Sequence, residues 1–283
     1  MPENKKLIVF GSNGMLGSAA VEVFSRKFEI IAHDIDSVDI CDNAAVEEVI
    51  ALKKPSLILN CAAYTDVDGC EKNRGTAFRV NAEGPRNIAV NSSKYGARVI
   101  HISTDYIFDG QKSTPYTETD TPSPINVYGS SKLEGEKNVM AHAKDSLIVR
   151  TSWLYGPSGK NFVSTLAELP KNESVLKVVR DQKGKPTYTY DLAEAILNAV
   201  EKQLKGIVNI CNSGECSWYE FAVEIFNLLG RKISVNSASS EEYKRPAARP
   251  KNSVLSMEKY EYAVGLKMRS WEEALKDYLK IYI

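Results

Sequence analysis

Tyr128 and Lys132 stand four residues apart in the run Tyr128-Gly129-Ser130-Ser131-Lys132, a spacing that puts both side chains on one face of a helix. A phenol has a pKa near ~10 in water and carries protons poorly at neutral pH. An ammonium beside it favours the phenolate and lowers that value, so the pair can pass a proton to a carbonyl oxygen. Thr104, in the run Ser103-Thr104-Asp105-Tyr106, brings a hydroxyl that can hold the same oxygen by a hydrogen bond. The turn Gly11-Ser12-Asn13-Gly14-Met15-Leu16-Gly17 has the glycines that let a backbone approach a pyrophosphate at a helix N-terminus. The chemistry these parts make together is carbonyl reduction with a nicotinamide cofactor, NADH or NADPH.

Asp34 ends the apolar run Ile30-Ile31-Ala32-His33-Asp34. An acid there accepts hydrogen bonds from the adenosine ribose and repels a 2′-phosphate, which leans the choice toward NADH. Arg26 and Lys27 are near enough in sequence to assist a 2′-phosphate instead.

These residues need elements to position them. Leu7-Ile8-Val9-Phe10 is an apolar run that ends at the glycine turn, and Leu16, Ala20, Val23 and Phe24 then share a helical face. The pattern predicts further strands at Ser56–Ala63, Arg98–Ser103 and Ser146–Thr151, and helices at Asn43–Leu52, Ala77–Lys94 and Asn126–His142. Strands alternating with helices make βαβ units, and right-handed crossovers make the α/β fold a Rossmann-type doubly wound parallel sheet. After Trp153 the rhythm breaks at Pro157, Gly159 and Pro170. The expected division is a dinucleotide-binding domain over residues 1–152 with a returning strand and helix drawn from 175–205. A smaller substrate-binding α/β cap takes residues 153–174 and 206–283, including helices at Ser217–Leu229 and Ser270–Leu279 and the loop Lys244–Pro250.

Lys plus Arg and Asp plus Glu both count 36, so the formal net charge is zero, and no basic run points to nucleic acid. The apolar stretches are strand-sized, far below the ~20 residues of a membrane span. The polar start Met1–Lys6 has no secretory signal. The five cysteines lack metal-site spacing and read as reduced thiols of a cytoplasmic protein. Three histidines, none with a nucleophile or carboxylate partner in the sequence pattern, argue against histidine chemistry.

The chain resembles the extended short-chain dehydrogenase/reductase family, and within it the dTDP-4-dehydrorhamnose reductases. The resemblance runs through Asn60–Asp68, Ser103–Gly110, Asn126–Glu136, Arg150–Gly156, Asn161-Phe162-Val163, Asp181-Gln182, Pro186-Thr187, Cys216-Ser217-Trp218 and Arg249-Pro250. It implies reduction of the C4 keto group of dTDP-6-deoxy-L-lyxo-4-hexulose to dTDP-L-rhamnose. It also implies that Thr104, Tyr128 and Lys132 are the catalytic trio. Cofactor contacts implied besides the glycine turn and Asp34 are Asp39 and Ile40 at the adenine, and Ala62 and Ala63, with Cys61 and Tyr64 beside them, at the nicotinamide ribose. Val67, Asp105, Tyr106 and Trp153 with Thr104 would line the sugar site, and Arg249 would face the diphosphate.

Some members of that family hold Mg²⁺ through an acidic cluster at a dimer contact. Ala19 stands at one of those positions and Asp191 is the acid near the others, so activity is expected not to depend on Mg²⁺, and the protein to be a monomer or a homodimer. The expected partner is a nucleotide sugar, with no nucleic acid and no membrane. Two alternatives stay open: a reductase of another nucleotide 4-keto-6-deoxysugar, and a non-catalytic subunit resembling the regulatory subunit of methionine adenosyltransferase.

Overall fold

The computed structural model describes residues 5–170 and 175–282. Most of the polar start (residues 1–4), part of the expected cap (171–174) and residue 283 lie outside the described residues.

In β1 (Lys6–Phe10), Leu7 and Val9 pack on one face of the sheet, and Ile8 and Phe10 on the other. All four are fully buried, as a strand covered by helices on both sides requires. The chain continues as α1 (Met15–Phe24), β2 (Glu29–His33), α2 (Asn43–Lys53), β3 (Leu57–Asn60), α3 (Val67–Lys72) and α4 (Arg74–Phe78). A π-helical turn (Arg79–Glu83), α5 (Gly84–Tyr95), β4 (Arg98–Thr104), α6 (Val127–His142) and β5 (Ser146–Thr151) follow.

The remainder comprises β6 (Leu154–Tyr155), α7 (Phe162–Ala167), β7 (Val175–Val179), β8 (Lys183–Gly184), β9 (Thr187–Tyr188) and α8 (Thr189–Glu201). It ends with β10 (Gly206–Asn209), β11 (Cys216–Ser217), α9 (Trp218–Leu228), β12 (Ser234–Ala238), α10 (Glu258–Val264) and α11 (Trp271–Tyr282).

Six strands make one parallel sheet in the order β10-β5-β4-β3-β1-β2. The strand order reverses beside β1, which opens a crevice at the carboxyl ends of the strands where open α/β sheets bind ligands. One face is covered by α1 and α8 through Leu16, Val23, Leu192 and Ile196. The other is covered by α2 and α5 through Val46, Ile50 and Ile88. A separate, aromatic core of Tyr155, Phe221, Trp271 and Tyr278 holds the cap.

Two expectations are corrected. The returning strand is β10, not Val175–Val179: β7 pairs with β12 in a two-stranded sheet of the cap. Only Val178 of β7 is buried, so the segment suits a half-exposed ribbon, whereas Val208 and Asn209 of β10 are fully buried beside β5. The helix expected over Ala77–Lys94 is present within a continuous helical run from Arg74 to Tyr95, but is π-helical rather than α-helical over Arg79–Glu83. There the buried Asn81 side chain accepts from the Tyr64 N–H (2.8 Å) and donates to the Tyr64 carbonyl oxygen (3.0 Å). Pro85, in the first turn of α5, brings no N–H of its own.

Helix α6 is fixed to the sheet by a buried ion pair. Arg150 on β5 donates from Nε to Glu136 Oε1 (2.9 Å) and from a terminal nitrogen to Glu136 Oε2 (2.8 Å). The guanidinium also lies 5.4 Å from the Phe108 ring centroid. Glu136→Ala leaves that charge buried and unpaired, which costs about 3–5 kcal/mol. A large fall in the urea midpoint is therefore expected, with much of it regained in the double variant Glu136→Leu/Arg150→Met.

Candidate active site

The glycine turn is built by close approach. Gly11 has φ +75°, and a Cβ on it would lie 2.6 Å from the Ala62 backbone nitrogen. A Cβ on Gly17 would run into the Gly11 carbonyl, so α1 can start against the turn only with glycine there. Asp34 closes the crevice side of β2: its Oδ2 accepts the Asn13 N–H at 2.9 Å and its Oδ1 the Ile35 N–H at 2.8 Å. Each oxygen keeps lone pairs for ribose hydroxyls.

A cavity of about 460 Å³ there is lined by Gly11, Asn13, Gly14, Asp34, Asp39 and Ile40, with Cys61 to Tyr64 across from them. The turn is thus a cradle that a Cβ would fill, and the donor and acceptor set fits a dinucleotide. No lysine or arginine is among the described residues lining it. Arg26 and Lys27 do not serve it: they lie past the far end of α1, paired with Glu194 and Glu201.

A second cavity, about 570 Å³, adjoins the first at Gly14, Cys61 and Ala63. Thr104, Tyr128 and Lys132 open onto it, as do Met15, Leu16, Val67, Asp105, Tyr106 and Trp153. Asn126 caps α6, accepting the Gly129 N–H at 2.7 Å, and the helix presents Tyr128 and Lys132 one turn apart. Gly17 is the predicted cofactor residue that lines neither cavity; it serves the packing of α1.

The electrostatics differ from the sequence expectation. Lys132, 2 % exposed, donates from Nζ to the Ile102 carbonyl oxygen at 2.6 Å. Burial pulls it down to about 8, with Glu136 and Cys61 opposing. Burial pushes the Tyr128 phenol well above its ordinary value, and the adjoining Thr104 hydroxyl offsets this only in part. The phenol is therefore held as an acid rather than poised as phenolate.

Trp153 sits in the left-handed region, φ +47°, where a bulky residue is strained unless its surroundings hold it. They do: its ring stacks on Trp218 with centroids 3.6 Å apart and planes 7° from parallel. Trp218 lines the second cavity but has no role from the sequence pattern. A signal for its placement existed in the capping box of Ser217 and Glu220, which starts α9 at Trp218.

Tyr106 and Trp218 also border a third cavity, about 360 Å³, with Lys177, Gln182, Arg245 and Arg249. Arg249 reaches that cavity but its fork is engaged. It donates to Asp68 Oδ1 at 2.7 Å and Oδ2 at 3.0 Å, and to the Ala247 carbonyl oxygen at 2.6 Å. This pairing holds the Asp68 carboxyl below its usual range despite partial burial. Asp191 bonds Arg269 Nε (2.8 Å) and Asn212 Nδ2 (2.7 Å), and Ala19 is buried in α1.

The family model for the RmlD substrate binding domain matches residues 5–283. The spore coat polysaccharide biosynthesis protein SpsK of Bacillus subtilis (strain 168) is 41% identical, covering 97% of each chain. A dTDP-4-dehydrorhamnose reductase structure from Clostridium acetobutylicum superposes with TM-score 0.95 at 43% identity, over 98% of this chain and 99% of that one. The Bacillus anthracis dTDP-4-dehydrorhamnose reductase, solved in complex with NADP, has TM-score 0.95 at 41% identity, over the same shares of the two chains. No helix among the described residues is long and apolar enough to cross a membrane.

Asp68 clasps the cap loop to the base of the crevice. Hydrogen bonds to charged groups are worth ~1.5–3 kcal/mol each, and cleavage of a briefly opened loop tracks its open population. Asp68→Ala is expected to speed tryptic cleavage after the exposed Lys244 about tenfold or more, read by timed proteolysis.

Proposed function

Because the chain belongs to the RmlD substrate binding domain family, we propose that it is an NAD(P)H-dependent reductase of a nucleotide 4-keto-6-deoxysugar. The sugar it takes is dTDP-6-deoxy-L-lyxo-4-hexulose, and the product is dTDP-L-rhamnose. One observation carries the reading: Thr104, Tyr128 and Lys132 open onto a single cavity that meets the glycine turn at Gly14 and the cap at Trp153.

The glycine turn and Asp34 would hold the pyrophosphate and adenosine ribose of a reduced nicotinamide cofactor, which would supply the hydride. Tyr128, protonated at neutral pH, gives its phenolic proton to the carbonyl oxygen. Thr104 donates a second hydrogen bond to the same oxygen and so stabilises the charge that grows there. Lys132, cationic below about 8, stabilises the phenolate left behind, which solvent then reprotonates.

Val67, Asp105, Tyr106 and Trp153 line the sugar side. The cap, folded on its own aromatic core, forms the nucleotide side through the cavity shared by Tyr106 and Arg249. Arg249 spends three of its five N–H groups on Asp68 and Ala247 and can offer the others to a diphosphate. Asp34, with no cation beside it among the described lining residues, favours NADH.

The test follows reduced-nicotinamide absorbance with dTDP-6-deoxy-L-lyxo-4-hexulose and identifies the product. Oxidation with dTDP-L-rhamnose formed is expected, faster with NADH. Oxidation only with a different 4-keto-6-deoxyhexose would move the sugar assignment, and tight cofactor binding with no oxidation would favour a regulatory subunit. Tyr128→Phe should keep cofactor binding and lower turnover by a factor on the order of 10²–10⁴. Asp34→Ser should shift the NADPH/NADH rate ratio severalfold toward NADPH, and an unchanged ratio would remove Asp34 from that role.

A further inference from the structure

Thr104 has one hydrogen to give, and Asp105, the adjoining Tyr128 phenol and a substrate carbonyl compete for it. Its Oγ1 accepts the Tyr106 N–H at 3.2 Å and lies 3.0 Å from Asp105 Oδ1. A hydroxyl carries one donor and two acceptor lone pairs, and an ionised carboxylate can only accept. While Asp105 is ionised, the threonine hydrogen is committed to it and nothing remains to donate to a substrate carbonyl. A protonated Asp105 reverses the bond: the carboxyl O–H donates to the second lone pair of Thr104, and the threonine hydrogen turns into the cavity.

We propose that Asp105 is a positioning residue that works in its protonated form, aiming the Thr104 hydroxyl at the substrate carbonyl. The inference rests on the reading of Thr104 as a carbonyl donor. Asp105 keeps its proton throughout; the proton consumed comes from Tyr128.

The surroundings of the carboxyl favour the neutral form. Asp105 is 2 % exposed, and its Oδ2 is buried without a hydrogen-bond partner, a costly state for a charged oxygen. The titratable groups facing it are Tyr106 of its own turn, Tyr128 of α6 and Cys211, just past β10. All three are raised above their ordinary values and so neutral at pH 7. Ser253 of the cap lies beside the carboxyl and has the Lys183 carbonyl oxygen at 3.3 Å as the other acceptor for its single hydrogen. Among the cations, Arg249 reaches Tyr106 but pairs with Asp68, Lys185 lies toward Cys211, and Lys132 bonds the Ile102 carbonyl. Burial pushes the carboxyl up to about 7, with the Ser253 and Thr104 hydroxyls and the backbone N–H groups of Asp105 and Tyr106 holding it back.

The experiment compares kcat against pH for the wild type, Asp105→Asn and Thr104→Val, each normalised to its own maximum. Wild-type turnover should fall as pH rises through about 7, then again as Lys132 loses charge near 8. An asparagine amide donates to Thr104 at every pH, so Asp105→Asn should lose the first fall and keep the second, whatever its maximum. A profile unchanged by Asp105→Asn, with Thr104→Val inactive, overturns this inference and leaves the reading of Thr104 standing. Near-normal turnover in Thr104→Val overturns both. Infrared spectroscopy of the intact wild type gives an answer independent of turnover and of how the variants fold. A protonated-carboxyl stretch that disappears as pH rises through neutrality supports the assignment, and its absence below neutrality overturns it.

Discussion

Everything at the reactive end of this protein hangs on helix α6 staying where it is, and the Arg150–Glu136 pair is what fixes it. Both side chains are almost wholly removed from water, 2% and 0% exposed, and such a pair adds little net stability over apolar packing. Its geometry, however, admits one placement: two parallel bonds from β5 to a single carboxylate on α6. One turn before Glu136, Lys132 reaches the Ile102 carbonyl of β4, the strand that ends in Thr104. The start of the same helix is held by the Asn126 cap, whose Nδ2 donates to the Ala248 carbonyl at 2.8 Å, and by Glu71 accepting the Val127 N–H at 2.8 Å. The trio is thus tied to β4, β5, α3 and the cap loop at once.

The sequence made the sheet legible because strands covered on both faces need unbroken apolar runs, and Leu7–Phe10, Leu57–Leu59 and Leu147–Val149 have them. Tyr128 and Lys132 were legible because helical period alone sets their common face. Partner choice was not. Val175–Val179 is richer in β-branched residues than Gly206–Asn209, yet the latter joins β5. A four-residue strand beginning at glycine carries little local signal, and its place follows from α8 packing back across α1. The π-turn was hidden for a similar reason, since Asn81 alters the helix only by bonding to Tyr64.

At the site, what could not be read were pairings between distant residues. Nothing local marks Asp68 as the partner of Arg249, 181 positions away, nor Trp218 as the plate on which Trp153 rests. Arg26 and Lys27 looked close to Asp34 by number. A helix antiparallel to its strand carries them to the opposite end of the sheet, where Glu194 and Glu201 take them. Proximity in sequence misleads wherever an α/β crossover intervenes.

The low polarity of the crevice resolves the apparent mismatch between the expected and observed phenol. Burial disfavours whichever form is charged, so it raises Tyr128 and lowers Lys132 together. An ordinary phenol is already protonated at neutral pH, so the first shift adds no reactive form and makes Tyr128 a weaker acid, one that depends on help as its proton leaves. The second shift is bounded: with Glu136 one turn away opposing it, Lys132 remains mostly charged at neutral pH. On the proposed reading, a Lys132 cation that steadies the phenolate once it forms favours the transition state over the resting site, and interactions of that kind, rather than a permanently lowered pKa, accelerate a chemical step.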